Sequence, residues 1–195
     1  MRPINLSNIA EKAEGEFNRL KPGAYPCTIM RVEDVPDKEY FWVVVDIIAG
    51  DYKDYFSDAF YADKDYAHRL CFSYKESAQG MLKGRLHVIS DCNHGFDAEA
   101  AINAGKEQML VGKAVGVVFR EEEYYNKKTG EFEMGSARPD RVCRLTELEE
   151  ERNAKPKPKM LNESQKRAAM ERAGMRQAAG TVVSASDDYS DDIPF

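Results

Sequence analysis

Ala24-Tyr25-Pro26-Cys27-Thr28-Ile29-Met30-Arg31-Val32-Glu33-Asp34-Val35, followed after Pro36-Asp37-Lys38-Glu39 by Tyr40-Phe41-Trp42-Val43-Val44-Val45-Asp46-Ile47-Ile48, is the stretch whose reading decides the fold. Both runs are rich in strand formers, and a short turn at Asp37-Lys38, preceded by Pro36, splits them. Two such runs so joined predict a β-hairpin. Alternation in the second run puts Phe41, Val43, Val45 and Ile47 on one face. Tyr40, Trp42, Val44 and Asp46 fall on the other. Pro22-Gly23 opens the first strand and Gly50 ends the second.

Outward from the hairpin, a shorter strand is expected around Tyr52–Phe60. A helix is expected from Lys75 to Cys92, because Ala78, Met81, Leu82, Leu86 and Ile89 recur at the spacing of one helical face. Asn93 and Gly95 suit its C-terminal end. Ala98–Ala101 reads as a second short helical piece. Leu110–Tyr125 reads as a long strand, with Val115, Val117 and Phe119 facing one way and Gly116, Val118 and Arg120 the other. Asn126-Lys127-Lys128-Thr129-Gly130 is a turn, and the last strand covers Glu131–Leu145. The order is β-β-β-α-β-β, that of a mainly β, five-stranded OB barrel with one amphipathic helix. A ferredoxin-like or other α+β sandwich gives a similar string.

Composition shifts near residue 146, which places the globular domain at 15–146. A charged linker with a possible helix follows at 147–180. The segment 181–195, small, polar and acidic, is expected to be a disordered tail. Lys155-Pro156-Lys157-Pro158-Lys159 reads as a stiff spacer. Asn162–Ala179 has helix-forming composition, with Ser164 as its candidate cap.

The chain is 43% hydrophobic, enough for a core, and carries a net charge of -6. Charge is laid down in blocks: Glu147, Glu149, Glu150 and Glu151; then a basic segment at 152–176; then Asp187, Asp188, Asp191 and Asp192. A local basic groove, not the net charge, decides whether nucleic acid binds. No transmembrane run or signal peptide is read from the sequence, so the expected compartment is the cytoplasm, with no membrane partner. Cys27, Cys71, Cys92 and Cys143 are too irregularly spaced for a zinc site and read as reduced thiols. No cofactor is expected.

The ending Ser186-Asp187-Asp188-Tyr189-Ser190-Asp191-Asp192-Ile193-Pro194-Phe195 resembles the C-terminal tip of bacterial single-stranded DNA-binding proteins. That resemblance implies a partner-binding tip at Asp191, Asp192, Ile193, Pro194 and Phe195. Ile and Phe would fill an apolar pocket on a replication, recombination or repair protein. A basic residue there would take a free terminal carboxylate, and a basic rim would meet the aspartates. The globular part resembles a phage-encoded family from replication and recombination gene clusters, through Pro22-Gly23-Ala24-Tyr25, Val32–Tyr40, Asp46–Gly50, Ser73-Tyr74-Lys75-Glu76, Asn93-His94-Gly95-Phe96, Leu110–Lys113 and Glu121–Tyr124. This implies a protein that coats single-stranded DNA in the host cytoplasm. The barrel sequence of bacterial single-stranded DNA-binding proteins is not recognisable here, so their homotetramer is not carried over, although a homo-oligomer remains open.

Sequence-independent binding of single strands needs aromatic faces for bases and cations for phosphates. Tyr40 and Trp42 lie on the second face of their strand, and Tyr52, Lys53 and Tyr55 lie just downstream. Tyr124, Tyr125, Lys127 and Lys128 surround the later turn. Arg31, Lys38 and Arg120 complete the candidate DNA-binding set. Each also has an ordinary reading: Trp42 as core, Tyr52 and Tyr55 as loop packing, the lysines as turn residues. Two other functions compete. One is a metal-dependent nuclease using Asp46, Asp51 or Glu121–Glu123. The other is a protein-only adaptor acting through the tip. An enzyme is not the expected class, since no phosphate loop or catalytic triad is recognisable.

Overall fold

The computed structural model describes residues 19–178. The tip Asp191–Phe195 lies outside the described residues, as does the rest of 179–195.

β1 (Gly23–Val35) and β2 (Tyr40–Ile47) form the expected antiparallel hairpin, from Cys27 opposite Ile47 to Val35 opposite Tyr40. The turn between them is a short 3-10 piece at Pro36–Lys38, closed by Glu39 in the left-handed region at φ 56°. Met30 is bulged out of the ladder and stands half exposed. β3 (Arg69–Ser73) pairs with β2, β4 (Ala114–Arg120) pairs with the first half of β1, and β7 (Arg138–Cys143) pairs with β4. The sheet order is β3-β2-β1-β4-β7, all antiparallel. Its end strands curl round until β3 lies beside β7 without a hydrogen-bonded ladder between them. The result is mainly β: a nearly closed five-stranded antiparallel barrel with few helices, compatible with an OB-like barrel.

The interior follows the alternation read from the sequence. Phe41, Val43, Val45 and Ile47 from β2 meet Val115, Val117 and Phe119 from β4, with Ile29, Val32, Leu70 and Phe72. α1 (Gln79–Cys92) closes one end by burying Leu82, Leu86 and Ile89. Met81 belongs to the same predicted stripe but stands 54% exposed. Asn93 ties this helix to the barrel. Its amide donates to the carbonyls of Ile89 and Ala114, both at 2.7 Å, and its side-chain oxygen accepts from the Ala114 N–H. α2 (Ala98–Asn103) follows, with the Asp97 side chain accepting from Ala100 N–H at its start. Outside β4, Ala24, Val118 and Cys143 make a small second cluster under Leu148 of α3 (Leu148–Asn153). Gly116 is required there: a Cβ would lie 2.7 Å from both the carbonyl oxygen and the sulfur of Cys143.

Three expectations are corrected. No strand occupies Tyr52–Phe60; that stretch makes 3-10 turns at Tyr55–Ser57 and Ala59–Tyr61, and the third strand is Arg69–Ser73. The cause is local: Asp54 sits at φ 57°, Asp58 caps Phe60, and Asp46 takes the Phe56 N–H, so the backbone cannot run extended. The long strand at Leu110–Tyr125 divides into β4 and β5 (Glu123–Asn126), with a 3-10 turn at Glu107–Leu110 before them. The last strand divides into β6 (Glu131–Met134) and β7, broken at Gly135, whose N–H donates to Glu122 O. β5 and β6 leave the barrel as a separate hairpin.

The chain beyond 146 contacts the rest. Arg152 of α3 donates to Ala24 O at 2.8 Å. After the Lys-Pro alternation, Lys159 donates its N–H to Glu121 O and accepts from Glu123 N–H, laying one bridge parallel to the base of the hairpin. α4 (Glu163–Ala178) follows, as its composition predicts, and its Lys166 lies 3.3 Å from the Glu123 carboxylate. Asn162, rather than Ser164, caps this helix. Its side chain accepts from Gln165 N–H, and Gln165 reciprocates on Asn162 N–H.

None of the four cysteines is in a disulfide. Burial, aided by the Asp46 charge, pushes the Cys27 thiol far up; burial, with Glu151 next, pushes Cys143 from 9.0 to about 11. Cys71 and Cys92 are more accessible. With a thiol reagent at pH 8, Cys71 and Cys92 are expected to react in the folded protein, and Cys27 and Cys143 only on unfolding. A folded-state pKa above the unfolded one stabilises below the unfolded value and is lost as pH rises through the folded one. Urea midpoints should therefore fall between pH 9 and 11. A flat profile, or early labelling of Cys27, would contradict this packing.

Candidate nucleic-acid interface

β2 supplies the centre of the candidate face because its second side is the outward side of the barrel. Cross-strand partners share a face, so Glu33 of β1 and Cys71 of β3 flank Trp42, and Arg31 and Arg69 flank Val44. Tyr40 and Val44 are covered, and Trp42 remains partly exposed. Tyr40 meets Trp42 edge-on, with centroids 5.0 Å apart. The Arg69 guanidinium lies 3.8 Å over the indole. Such a cation–π pair contributes about 0.5–2 kcal/mol and holds both planes ready for a third. Arg31 pairs with Asp65, and its other neighbour Glu33 is 3.8 Å away. Asp65 also stands 3.8 Å from the Nε2 of buried His68, whose other ring nitrogen bonds Val45 O at 2.6 Å. Just before β3, Tyr66 carries the Arg138 guanidinium of β7 at 5.3 Å from its ring. The Tyr66–Arg138 pair thus crosses from the start of β3 to β7, while the Trp42–Arg69 pair lies on the β2–β3 side.

The remaining predicted residues sit elsewhere. Tyr52 and Tyr55 pack edge-on with each other and against the core, in a cluster that includes Tyr25, Phe56 and Tyr61. The Tyr55 hydroxyl accepts from Leu20 N–H and from the Tyr61 hydroxyl, and Tyr52 donates to Arg19 O. Burial, with Tyr52 next, pushes the Tyr25 phenol to about 12. Lys53 is exposed, 3.8 Å from Asp54. Lys38 is exposed in the β1–β2 turn. Arg120 pairs with Asp140 at 2.5 Å, and its Nε is buried without a partner. Tyr124 and Tyr125 lie half-buried on the β5–β6 hairpin, Tyr124 donating to Glu133 and Tyr125 packing on Phe132. Lys127 and Lys128 are exposed at its turn. The candidate set therefore divides into an outward β1–β3 face, an aromatic cluster at the barrel wall and a separate hairpin.

Arg69, Tyr66 and Arg138 were not singled out from the sequence. The alternation of Arg69-Leu70-Cys71-Phe72-Ser73 would have placed Arg69 beside Trp42, had the third strand been set there instead of at Tyr52–Phe60.

Of the carboxylates named for a nuclease, Asp46, Glu122 and Glu123 have partners within the fold. Both oxygens of Asp46 are engaged: one accepts from Ile47 and Phe56 N–H, the other from the Ser57 hydroxyl at 2.6 Å. Glu122 pairs with Lys159, and Glu123 with Lys166. Among the described residues, no group of three or more His, Cys, Asp or Glu side chains is placed to hold a metal ion. No described helix is long and apolar enough to cross a membrane. No protein-family model matches the chain, and no curated protein matches it at a significant level.

Proposed function

We propose that this barrel is an OB fold that coats single-stranded DNA without strong sequence preference, as a phage-type replication and recombination protein, and recruits partners through Asp191–Phe195. The observation that carries the DNA reading is Trp42, partly exposed on the outward face of β2, with Arg69 stacked on it and Arg31 one strand away. A planar cation on an aromatic ring accepts a base as a further layer, and its charge answers the phosphate. OB folds use this face for oligonucleotides. Tyr66 with Arg138 offers a second such step beyond β3. The acidic tip supports the recruitment reading through its resemblance alone.

Trp42 is the single tryptophan of the chain, so its fluorescence reports one place. Titration with oligo-dT of about 35 nucleotides, a length set by OB sites of about 4–16 nucleotides, is expected to quench it and to weaken with salt. In a gel-shift assay with the same oligonucleotide, which needs no tryptophan signal, replacing Trp42 by alanine should cost about tenfold in affinity, within the about 1–3 kcal/mol of one stacked base. Arg69→Glu should cost at least as much. Absence of binding at low salt would overturn the proposal and leave a protein-only adaptor. Mg²⁺-dependent cleavage of the oligonucleotide would point to the nuclease.

A further inference from the structure

His68 is buried, 7% exposed, between the 3-10 turn at Asp65–Ala67 and β3. Its Nδ1 lies 2.6 Å from Val45 O. A carbonyl only accepts, so in the neutral ring the proton sits on Nδ1 and Nε2 carries a bare lone pair. Nε2 is buried and has no hydrogen-bond partner among the described residues. Phe56 covers one face of the ring, parallel within 8° and with centroids 4.6 Å apart. A buried polar atom left in this state is destabilising.

Nε2 faces the Asp65 carboxylate, whose Oδ1 is 3.8 Å away. The two are acceptors turned towards each other with no hydrogen between them. The other carboxylate oxygen, Oδ2, is held by Arg31. Asp65 thus stands between a buried imidazole and a guanidinium whose side chain is 52% exposed on the outward face. One proton taken from water onto Nε2 turns its contact with Asp65 into a charge-assisted pair. Closing that contact from 3.8 Å to about 2.8 Å draws the carboxylate inward, off Arg31.

The neighbouring charged groups are otherwise engaged. On the turn itself, Lys64 lies over the Phe60 ring and donates to Phe60 O, and Tyr66 carries Arg138. On β3, Arg69 stacks on Trp42. On β2, Asp46 spends both oxygens on Ile47, Phe56 and Ser57. Behind Phe56, the Tyr61 hydroxyl donates to that of Tyr55. On β1, Glu33 stands 3.8 Å from Arg31. Among the described residues, Asp65 is the one carboxylate placed against both His68 and Arg31. On the outward face the charges of Arg31 and Arg69 are balanced by Glu33 and Asp65, and a proton on His68 leaves one positive charge in excess.

We propose that His68 is a proton-operated catch on Arg31: uncharged, it leaves Asp65 to Arg31; protonated, it takes Asp65 and frees Arg31 for a phosphate. Single strands are then held more tightly as the pH falls through the titration of His68. That consequence rests on the proposed coating function, whereas the coupling of His68 to Arg31 does not.

NMR of the full chain reads the coupling without DNA. His68→Asn assigns the His68 ring signals, Arg31→Lys assigns the Arg31 Nε–H, and His87 and His94 serve as controls. Between about pH 8 and about pH 5, the Arg31 signal is expected to move with the midpoint of His68. In Asp65→Asn, a surface change that spares the core, it should no longer follow. Affinity for a labelled oligo-dT is then read by anisotropy at about 0.1 M salt. Over the same range it should rise about fivefold more in the native chain than in His68→Asn, the worth of one further phosphate at a slope of about 0.7 per decade of salt. His68→Asn keeps a donor for Val45 O but takes no charge. An imidazole that stays neutral throughout, an Arg31 signal that ignores it, or equal pH dependence of binding in both chains would overturn the catch. Absence of binding at every pH, with Arg31 still following His68, would uphold the coupling and overturn the coating proposal alone.

Discussion

Phe119→Ala is expected to lower the unfolding free energy by about 3–5 kcal/mol, the cost of an aromatic-to-alanine truncation in a packed core. Phe119 has no exposed surface; it stacks on Phe56 at 5.9 Å and meets Tyr25 edge-on at 5.7 Å. It therefore joins the barrel strands to the aromatic cluster that replaces the strand expected at Tyr52–Phe60. Loss of the ring removes a wall common to both. In a domain of this size each kcal/mol moves the melting temperature by about 2–4 °C, so a fall of about 6–20 °C is expected in calorimetry. Tyr61 and Tyr55, held by one another's hydroxyls, should become more accessible to quenchers in the same variant. A shift of only a degree or two would mean that the cluster does not depend on Phe119.

Asp46→Ala is expected to be as damaging, for an electrostatic reason. The carboxylate is buried and accepts from two backbone N–H groups and one hydroxyl. Removing it strands the two buried N–H groups of Ile47 and Phe56, at about 1–3 kcal/mol each, while the hydroxyl of exposed Ser57 can turn to water, for a total of about 2–6 kcal/mol. Asp46→Asn should be far milder, since the amide oxygen still takes both N–H groups and the amide nitrogen donates to Ser57. Urea unfolding of the pair separates this role from catalysis. Similar stability of both variants would remove Asp46 from the structural account. A stable asparagine variant that loses Mg²⁺-dependent cleavage would restore it to the nuclease.

The hairpin that opens the fold was legible because alternation is a local signal. Nine residues from Tyr40 are enough to say which side chains face inward, and the β4 stripe of Val115, Val117 and Phe119 reads the same way. The third strand was not legible. Tyr52–Phe60 has the composition of a strand, but Asp46, at the end of β2, claims the Phe56 N–H, and Asp54 and Asp58 turn the chain, none of which the alternation of apolar residues records. Likewise, nothing local marks the break at Glu121–Glu122; it exists because Lys159, far along the chain, binds there. Trp42 could be placed on a face from its neighbours, but its arginine neighbour could not, since Arg69 arrives from a strand set in the wrong place.

The unladdered seam between β3 and β7 has a consequence for assembly. A sheet of five strands has two edges, and exposed edges are templates for another chain. Here the two edges lie side by side, and the Arg85 guanidinium sits on the Cys71 carbonyl of one of them. Each edge blocks the approach of a foreign strand to the other, so the barrel is shielded at the seam from growth by strand addition. Copies of this chain brought close together would then meet at the seam through side chains and not by pairing one barrel's strands with another's.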